Sequence, residues 1–395
     1  MLETLSSVSW ARLGHAYGSA ADVPERIRAL CSGDAEVRRA ARRSLNGTII
    51  HQGTRYEATA HAVPFLLELL ADPVTPDRAE LLELLTPLAI GFDESWLPGR
   101  FPVASYREQA SGGEPILRAA PLPSYDDDSV FRYLEQLDDH GRESMFAYIE
   151  LSAYDAVRAG VPLFVDLLAG DDPRLRVAAA YALAWFPEET AVSRPALTAA
   201  ATDPDPVVAA TALVALALTA DTDPGVLRAG LDDDRKLVRW GAAVALAALE
   251  GPACDRPVVD ELLGWAARGT AGHARVPYLE GDLSGLAGLA LRRLGDDHAD
   301  AAFEALLVRI PAVSGPDALP VVGEALRRAF PSGELPSATG FTDLDEPQQR
   351  LLRSLADSPT TWQHGGEGVF TNFTLLLHAY ALPGSADDMR TFITR

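Results

Sequence analysis

Histidine, tyrosine and carboxylate side chains gather near the amino terminus at spacings that could do chemistry. His15 and Tyr17 follow Trp10, and a second group comes as His51, Gln52, Tyr56, Glu57 and His61. Glu57 and His61 stand four residues apart, so on a helix they share one face. His51 can approach that face across the preceding turn. Two histidines and a carboxylate so placed could hold a ligand or a metal, or shuttle a proton. No zinc-protease, deaminase or calcium-loop spacing accompanies them. Helix capping and interface packing explain the same residues more simply. The group therefore stands as a candidate ligand or partner site, with no catalytic residue, metal ligand or cofactor assigned.

Three other sets invite function. Arg38, Arg39, Arg42 and Arg43 form a basic stripe that could clamp a phosphate or an acidic peptide; a solvated face paired with local acids is the simpler reading. Trp185, Trp240 and Trp265 recur along the chain. Trp240 directly follows a Val-Arg pair, which predicts a place near an exposed rim, where Trp185 and Trp240 could anchor a protein partner. Packing between helices is the competing expectation. The run Asp126-Asp127-Asp128 lacks the alternation and closing Glu of a calcium loop and reads as a helix start. No nucleophile elbow, phosphate loop or dinucleotide fingerprint stands out.

The elements that must position these residues are read from internal repetition. Val/Leu-Arg-x-x-Ala-Ala-x-Ala-Leu occurs from Leu175 to Leu183 and from Val238 to Leu246, and Val208 to Leu216 matches with Ala209 in place of Arg. The offsets, 33 and 30 residues, are those of stacked helix pairs. A second duplication at an offset of 98 residues sets Tyr56-Glu57-Ala58-Thr59 and Val63-Pro64-Phe65 over Tyr154-Asp155-Ala156-Val157 and Val161-Pro162-Leu163. Proline suits a first helical turn, so both Val-Pro pairs are expected to open helices. Another helix of the second type runs from Val37 to Leu45.

Helix pairs are thus expected over 22–90 and 150–250. Residues 92–128 are rich in proline and glycine and show no helical period, and a helix from Ser129 to about Ile149 follows. Beyond 255 the repeats degrade, with helices near 258–268, 283–294, 299–308, 318–329, 346–356 and 369–379. The expected division is 1–91 for amino-terminal helix pairs, 92–150 for an insertion of loop and helix, 151–255 for central repeats and 256–395 for degenerate repeats and a cap. No period-2 strand pattern appears.

Composition agrees with stacked helices. Hydrophobic residues make up 48% and aromatics only 7%, and small Ala with Leu lets helices approach closely. A formal net charge of −22 argues against general nucleic-acid binding, which needs a cationic surface. Many of the acids sit where helices begin, where they cap free amides and complement the helix dipole. Cys31 and Cys254 lie far apart and read as two buried thiols in a reducing compartment. The absence of a basic-then-apolar leader and of an apolar run long enough to span a bilayer predicts a soluble, cytoplasmic protein with no membrane contact.

The Val-Arg-x-x-Ala-Ala-x-Ala-Leu motifs, with Asp172-Pro173 and Asp205-Pro206 before them, resemble HEAT repeats of the short bacterial kind, which include phycobilin-lyase-like proteins. The string His51-Gln52-Gly53-Thr54 with Tyr56 and Ala58-Thr59 is similar to a group of bacterial HEAT-repeat proteins without assigned activity. The resemblance implies an all-α superhelix, and it implies that Arg38, Arg176 and Arg239 are structural, each bonding an Asp of a neighbouring repeat. It also implies a bacterial scaffold that binds a protein or peptide along its concave face and the 92–150 insertion, and the net charge of −22 points to a basic partner. The rival is an enzyme or small-ligand protein using the His/Tyr cluster. A more remote rival is a HEAT-type DNA glycosylase, which would need a cationic face with Trp and Asp at its centre.

Overall fold

The computed structural model describes residues 2–122, 129–219, 222–269, 276–337, 339–365 and 370–394. Asp126-Asp127-Asp128 lies outside the described residues. The chain forms two compact units, Met1–Val208 with Leu218–Thr222, and Ala209–Ala217 with Asp223–Arg395. Both are built from paired helices, and the fold is all-α and of the solenoid class.

In the first unit the helices are α1 (Val23–Ala29), α2 (Ala35–Thr48), α3 (Glu57–Ala71), α4 (Arg78–Ile90), α5 (Val103–Gln109), α6 (Gly113–Ala119), α7 (Ser129–Gln136), α8 (Asp139–Arg158), α9 (Val161–Leu168), α10 (Pro173–Leu183) and α11 (Thr190–Ala200). Helix α12 (Pro206–Leu218) supplies Ala209–Ala217 to the second unit. That unit continues with α13 (Pro224–Leu231), α14 (Lys236–Glu250), α15 (Arg256–Arg268), α16 (Leu283–Leu291), α17 (Ala299–Arg309), α18 (Ala318–Ala329), α19 (Glu346–Asp357), α20 (Thr371–His378) and α21 (Ala386–Thr394). Among the described residues no helix is long and apolar enough to cross a membrane.

Aspartates start many of these helices. Asp34, Asp138, Asp172, Asp223, Asp282 and Asp345 each accept a first-turn amide. Each such cap stabilises its helix by about 1 kcal/mol, so much of the acidic excess is structural. Between helix pairs two of the three expected arginine–aspartate bonds are present, and Arg239 faces a glutamate instead. Arg38 Nε donates to Asp77 Oδ2 at 2.8 Å and Arg176 Nε to Asp203 Oδ2 at 2.9 Å; Arg239 Nε stands 3.6 Å from Glu261 Oε2. Arg42 joins Arg38 on Asp77, and Arg39 pairs with Glu36 one turn away. Half of the basic stripe is therefore spent on Asp77, while Arg39 and Arg43 stay exposed. With two guanidiniums on it, the Asp77 carboxyl holds its proton less tightly than usual.

The apolar side chains of α3, α4 and α8 form the centre of the first unit. Leu66, Leu82, Leu85, Leu88 and Val157 are wholly buried, each contributing about 2 kcal/mol. Helix α8 packs on both α3 and α4, and α5 and α6 pack on α8. The carboxy-terminal core of the second unit gathers Leu306, Ile310, Val322, Leu352, Leu355, Phe373 and Met389.

Several expectations need correction. Segment 92–122 is not devoid of helix: α5 and α6 are each one to two turns long, too short to leave a visible period. The helix expected from Ser129 breaks at Leu137, because Asp138 takes an extended conformation and caps a new helix by accepting from Gly141 N. Val161-Pro162 does open α9, but α3 runs straight through Val63-Pro64. The difference lies one residue earlier: Gly160 stands where the first copy has Ala62. A Cβ on Gly160 would lie 2.5 Å from Leu67 Cδ2, so the chain breaks between α8 and α9 where a neighbour presses on bare backbone. Two small antiparallel hairpins also occur, β1 (Gly14–His15) with β2 (Gly18–Ser19) and β3 (Ile50–His51) with β4 (Thr54–Arg55). Two-residue strands carry no period to read. Cys31 is exposed in the turn before α2 and Cys254 is half-buried, so neither is a core thiol.

Helix α6 comes backbone to backbone with α8 at Gly113. A Cβ on Gly113 would stand 2.1 Å from the Ser144 carbonyl oxygen. Gly113→Ala should cost about 2 kcal/mol or more and loosen α6 first. Hydrogen exchange of the α6 amides would show it; unchanged protection would contradict this close approach.

Candidate functional site

The two hairpins bring the amino-terminal cluster together. Gln52 and Gly53 both have positive φ, +50° and +82°, the backbone of a tight two-residue turn whose hand suits twisted strands. Ala16 N donates to Thr48 O at 2.9 Å, docking the first hairpin beside the second. Tyr17 then lies edge-on to His51 at 5.5 Å between ring centroids, with His15 on its other side at 6.5 Å.

Most of this cluster is engaged in holding itself. The His15 side chain is nearly buried. Its Nδ1 accepts from Tyr17 N at 3.1 Å, so its proton sits on Nε2 and is donated to Asp22 Oδ1 at 3.1 Å. Glu57 Oε2 accepts from Gly14 N at 3.2 Å. Tyr56 starts α3 with its amide donating to Thr59 Oγ1 at 2.9 Å; burial raises its phenol's proton affinity, and Tyr17 adds to the rise. Tyr17 and Gln52 are exposed, His51 is half-buried, and His61 faces solvent on α3. The result is an aromatic and polar edge made by Tyr17, His51 and Gln52. Among the described residues no group of His, Cys, Asp or Glu is arranged to hold a metal ion.

Directly after that edge comes a residue that sequence reasoning passed over. Arg55 ends β4 and is 4% exposed. Its Nη1 donates to Gly53 O at 2.5 Å and its Nη2 lies 3.0 Å from Glu150 Oε2 on α8. Gly91, at φ +72°, is the floor beneath it: a Cβ there would stand 2.5 Å from Nη1. Arg55 thus ties the hairpin to α8. The phenol of Tyr106 on α5 sits with this pair, and burial followed by the Glu150 charge raises its proton affinity.

Glu150 and Tyr106 open into a cleft of about 420 Å³ between α5 and α8. Asp139, Arg142, Glu143, Phe146 and Glu150 line it from α8, at the three- and four-residue steps that put them on one helix face. Arg142 is taken by Asp139 and Glu150 by Arg55. Glu143 is exposed and has no ion-pair partner among the described residues. Phe146, 42% exposed, is an apolar side chain in an otherwise polar wall.

Behind the cleft, α5 is firmly seated. Tyr106, Phe101 and Tyr154 stack at 5.1 and 4.9 Å, and Phe186 continues the column at 5.1 Å. Arg107 bonds Asp155 at 2.9 Å and Glu188 at 2.8 Å. Buried Tyr154 bonds Glu188 Oε2 at 3.2 Å, and burial pushes its phenol's proton affinity far above the usual value. Helix α5 is therefore held against α8 by stacked rings and by ion pairs.

Trp185 and Trp240 are fully buried, which corrects the expected rim position of Trp240. Trp240 packs against Trp265 at 6.4 Å and donates its indole N–H to Leu283 O at 3.0 Å. Trp185 packs edge-on to Tyr181 at 5.9 Å. One signal for Arg55 was available: in the 98-residue duplication it stands where the second copy has Ala153. Glu150 and Phe146 left none, since only the docking of α5 makes their face a wall.

Residues 135–217 match the family model described as HEAT repeats. None of the curated proteins matches the chain. Among solved structures, an engineered protein of known crystal structure is similar at 18% identity, over 86% of this chain and 89% of that one, with a TM-score of 0.29.

Proposed function

We propose, from the match of residues 135–217 to HEAT repeats, that the chain is a non-catalytic scaffold that binds a basic segment of a partner protein. Stacked helix pairs commonly serve as protein-binding surfaces. The observation that carries this reading is the α5–α8 cleft, with the uncompensated Glu143 beside the aromatic faces of Phe146 and Tyr106. A Lys or Arg side chain laid there would rest its stem on Phe146 and meet Glu143, while the ring face adds a cation–π contribution. The net charge of −22 would speed the approach of such a segment. The edge formed by Tyr17, His51 and Gln52 extends the same surface in this reading.

Cytoplasmic location and a bacterial source fit the reading as proposals. So does the division into amino-terminal pairs, insertion, central repeats and cap.

The test is capture of partners from a source lysate by the protein and by Glu143→Arg/Phe146→Ser. A stoichiometric partner should be lost from the variant while both proteins keep the same helical content. Equal recovery by both would move the binding surface elsewhere.

A further inference from the structure

The second unit carries a pocket whose charge runs opposite to that of the chain. Helix α14 begins at Lys236, the one lysine in the sequence, and α15 ends at Arg268. A cavity of about 270 Å³ lies between Lys236, Arg239 and Arg268, with Trp265 in its wall. Two carboxylates also reach it, and both are engaged. Asp260 Oδ1 accepts from Arg256 Nε at 2.7 Å. Glu261 Oε1 accepts from the Trp265 indole at 2.9 Å, and its other oxygen faces Arg239. Arg239 is held in place by the Asp233 and Asp234 carbonyls at 2.8 and 3.0 Å. Lys236 and Arg268 are exposed and have no ion-pair partner among the described residues.

Two glycines shape the site. A Cβ on Gly264 would stand 2.7 Å from Arg268 Nη2, so that guanidinium folds back over bare helix one turn earlier. A Cβ on Gly269 would stand 2.7 Å from Arg309 Cζ. Arg309 is 9% exposed, its Nη1 bonds Ala312 O at 3.1 Å, and its Nε has no hydrogen-bond partner. A buried guanidinium therefore lies behind the pocket wall. The positive end of α14 and the negative end of α15 both meet here and offset one another, so the side chains decide the sign.

We infer that this pocket binds the phosphate monoester or pyrophosphate group of a small molecule. An ammonium and the Arg268 guanidinium fork, with the charge of Arg239 behind them, suit a multiply charged tetrahedral anion better than a single carboxylate. The cavity is slightly smaller than the usual ligand pocket of about 300–1,000 Å³, which fits one or two phosphates rather than a whole cofactor.

The experiment is titration calorimetry of the full chain with inorganic pyrophosphate at low salt, with Trp fluorescence as a second readout. Binding at or below about 1 mM is expected. Lys236→Gln/Arg268→Gln should weaken it at least tenfold. Gly264→Ala keeps every charge but displaces Arg268, and should weaken binding severalfold. Arg100→Gln/Arg118→Gln, which removes two charges from the first unit, should leave it unchanged. Absence of binding, or equal weakening by the control, overturns the inference. So does tighter binding of a duplex oligonucleotide through Lys236 and Arg268, which would assign the site to a nucleic-acid backbone.

Discussion

Arg55→Met is expected to destabilise the first unit by about 3 kcal/mol. Arg55 is almost wholly buried, and its guanidinium serves Glu150 and the Gly53 carbonyl at once. Removing one partner of a buried pair typically costs about 3–5 kcal/mol, because the charge left behind has lost its compensation. Glu150 is 22% exposed, so water relieves part of that cost and the lower figure applies. Arg55→Met/Glu150→Met should recover much of the loss, since neither charge then remains to be desolvated. Urea unfolding of the two variants measures this. A single variant within about 0.5 kcal/mol of the parent would mean that the ion pair does not hold the hairpin to α8.

The second large effect is expected at Asp282, which caps α16 by accepting from Gly285 N at 2.9 Å. It is 5% exposed, and its Oδ2 has no hydrogen-bond partner. Burial pushes its carboxyl up from 3.8 to about 6; Asp317 adds to the rise, while the Gly285 amide and Arg309 oppose it. The folded chain therefore keeps this proton to about pH 6, whereas the unfolded chain releases it near 3.8. The stability that the group contributes is complete below the lower value, falls through that window and is lost above it. The span corresponds to about 3 kcal/mol. Asp282→Asn keeps the capping oxygen and cannot ionise. It should be more stable than the parent by about 2 kcal/mol at pH 8 and about 1 kcal/mol less stable at pH 3.5, where its amide N–H buries an unmet donor. Unfolding curves at the two pH values decide; an equal offset at both would mean that folding does not raise the proton affinity of the Asp282 carboxyl.

How far the sequence could be read follows from which signals are local. The carboxy-terminal helices fall within a few residues of their expected bounds, because Gly and Pro punctuation and Leu spacing act within one turn or two. The arginine bonds to Asp77 and Asp203 were readable because the repeat places each partner. The course of the chain at Val63-Pro64 was not, since it depends on Leu67 pressing against Gly160 in one copy and not on the proline. The second hairpin rests on positive φ at Gln52 and Gly53 rather than on alternation.

At the candidate site the histidines and tyrosines were visible by type, yet three of them turned out to differ in availability. His15 is locked to Asp22, whereas Tyr17 and His61 face solvent. Arg55, Glu150 and Phe146 become a site only when α5 lies across α8. The ion pair of Arg55 with Glu150 likewise links residues 95 apart in sequence (150 − 55), on a hairpin and a helix that the repeat does not pair. Trp185 and Trp240 show the converse: large aromatics in Ala-rich helices look like anchors, but small neighbours leave room to bury them.

The most direct test of the proposed binding surface is photo-crosslinking from position 146, with a benzophenone amino acid in place of Phe146, in the presence of the captured partner. The account predicts one crosslinked partner segment rich in Lys and Arg, abolished by adding Glu143→Arg. Crosslinking to an acidic or apolar segment, or a crosslink indifferent to Glu143→Arg, would contradict it.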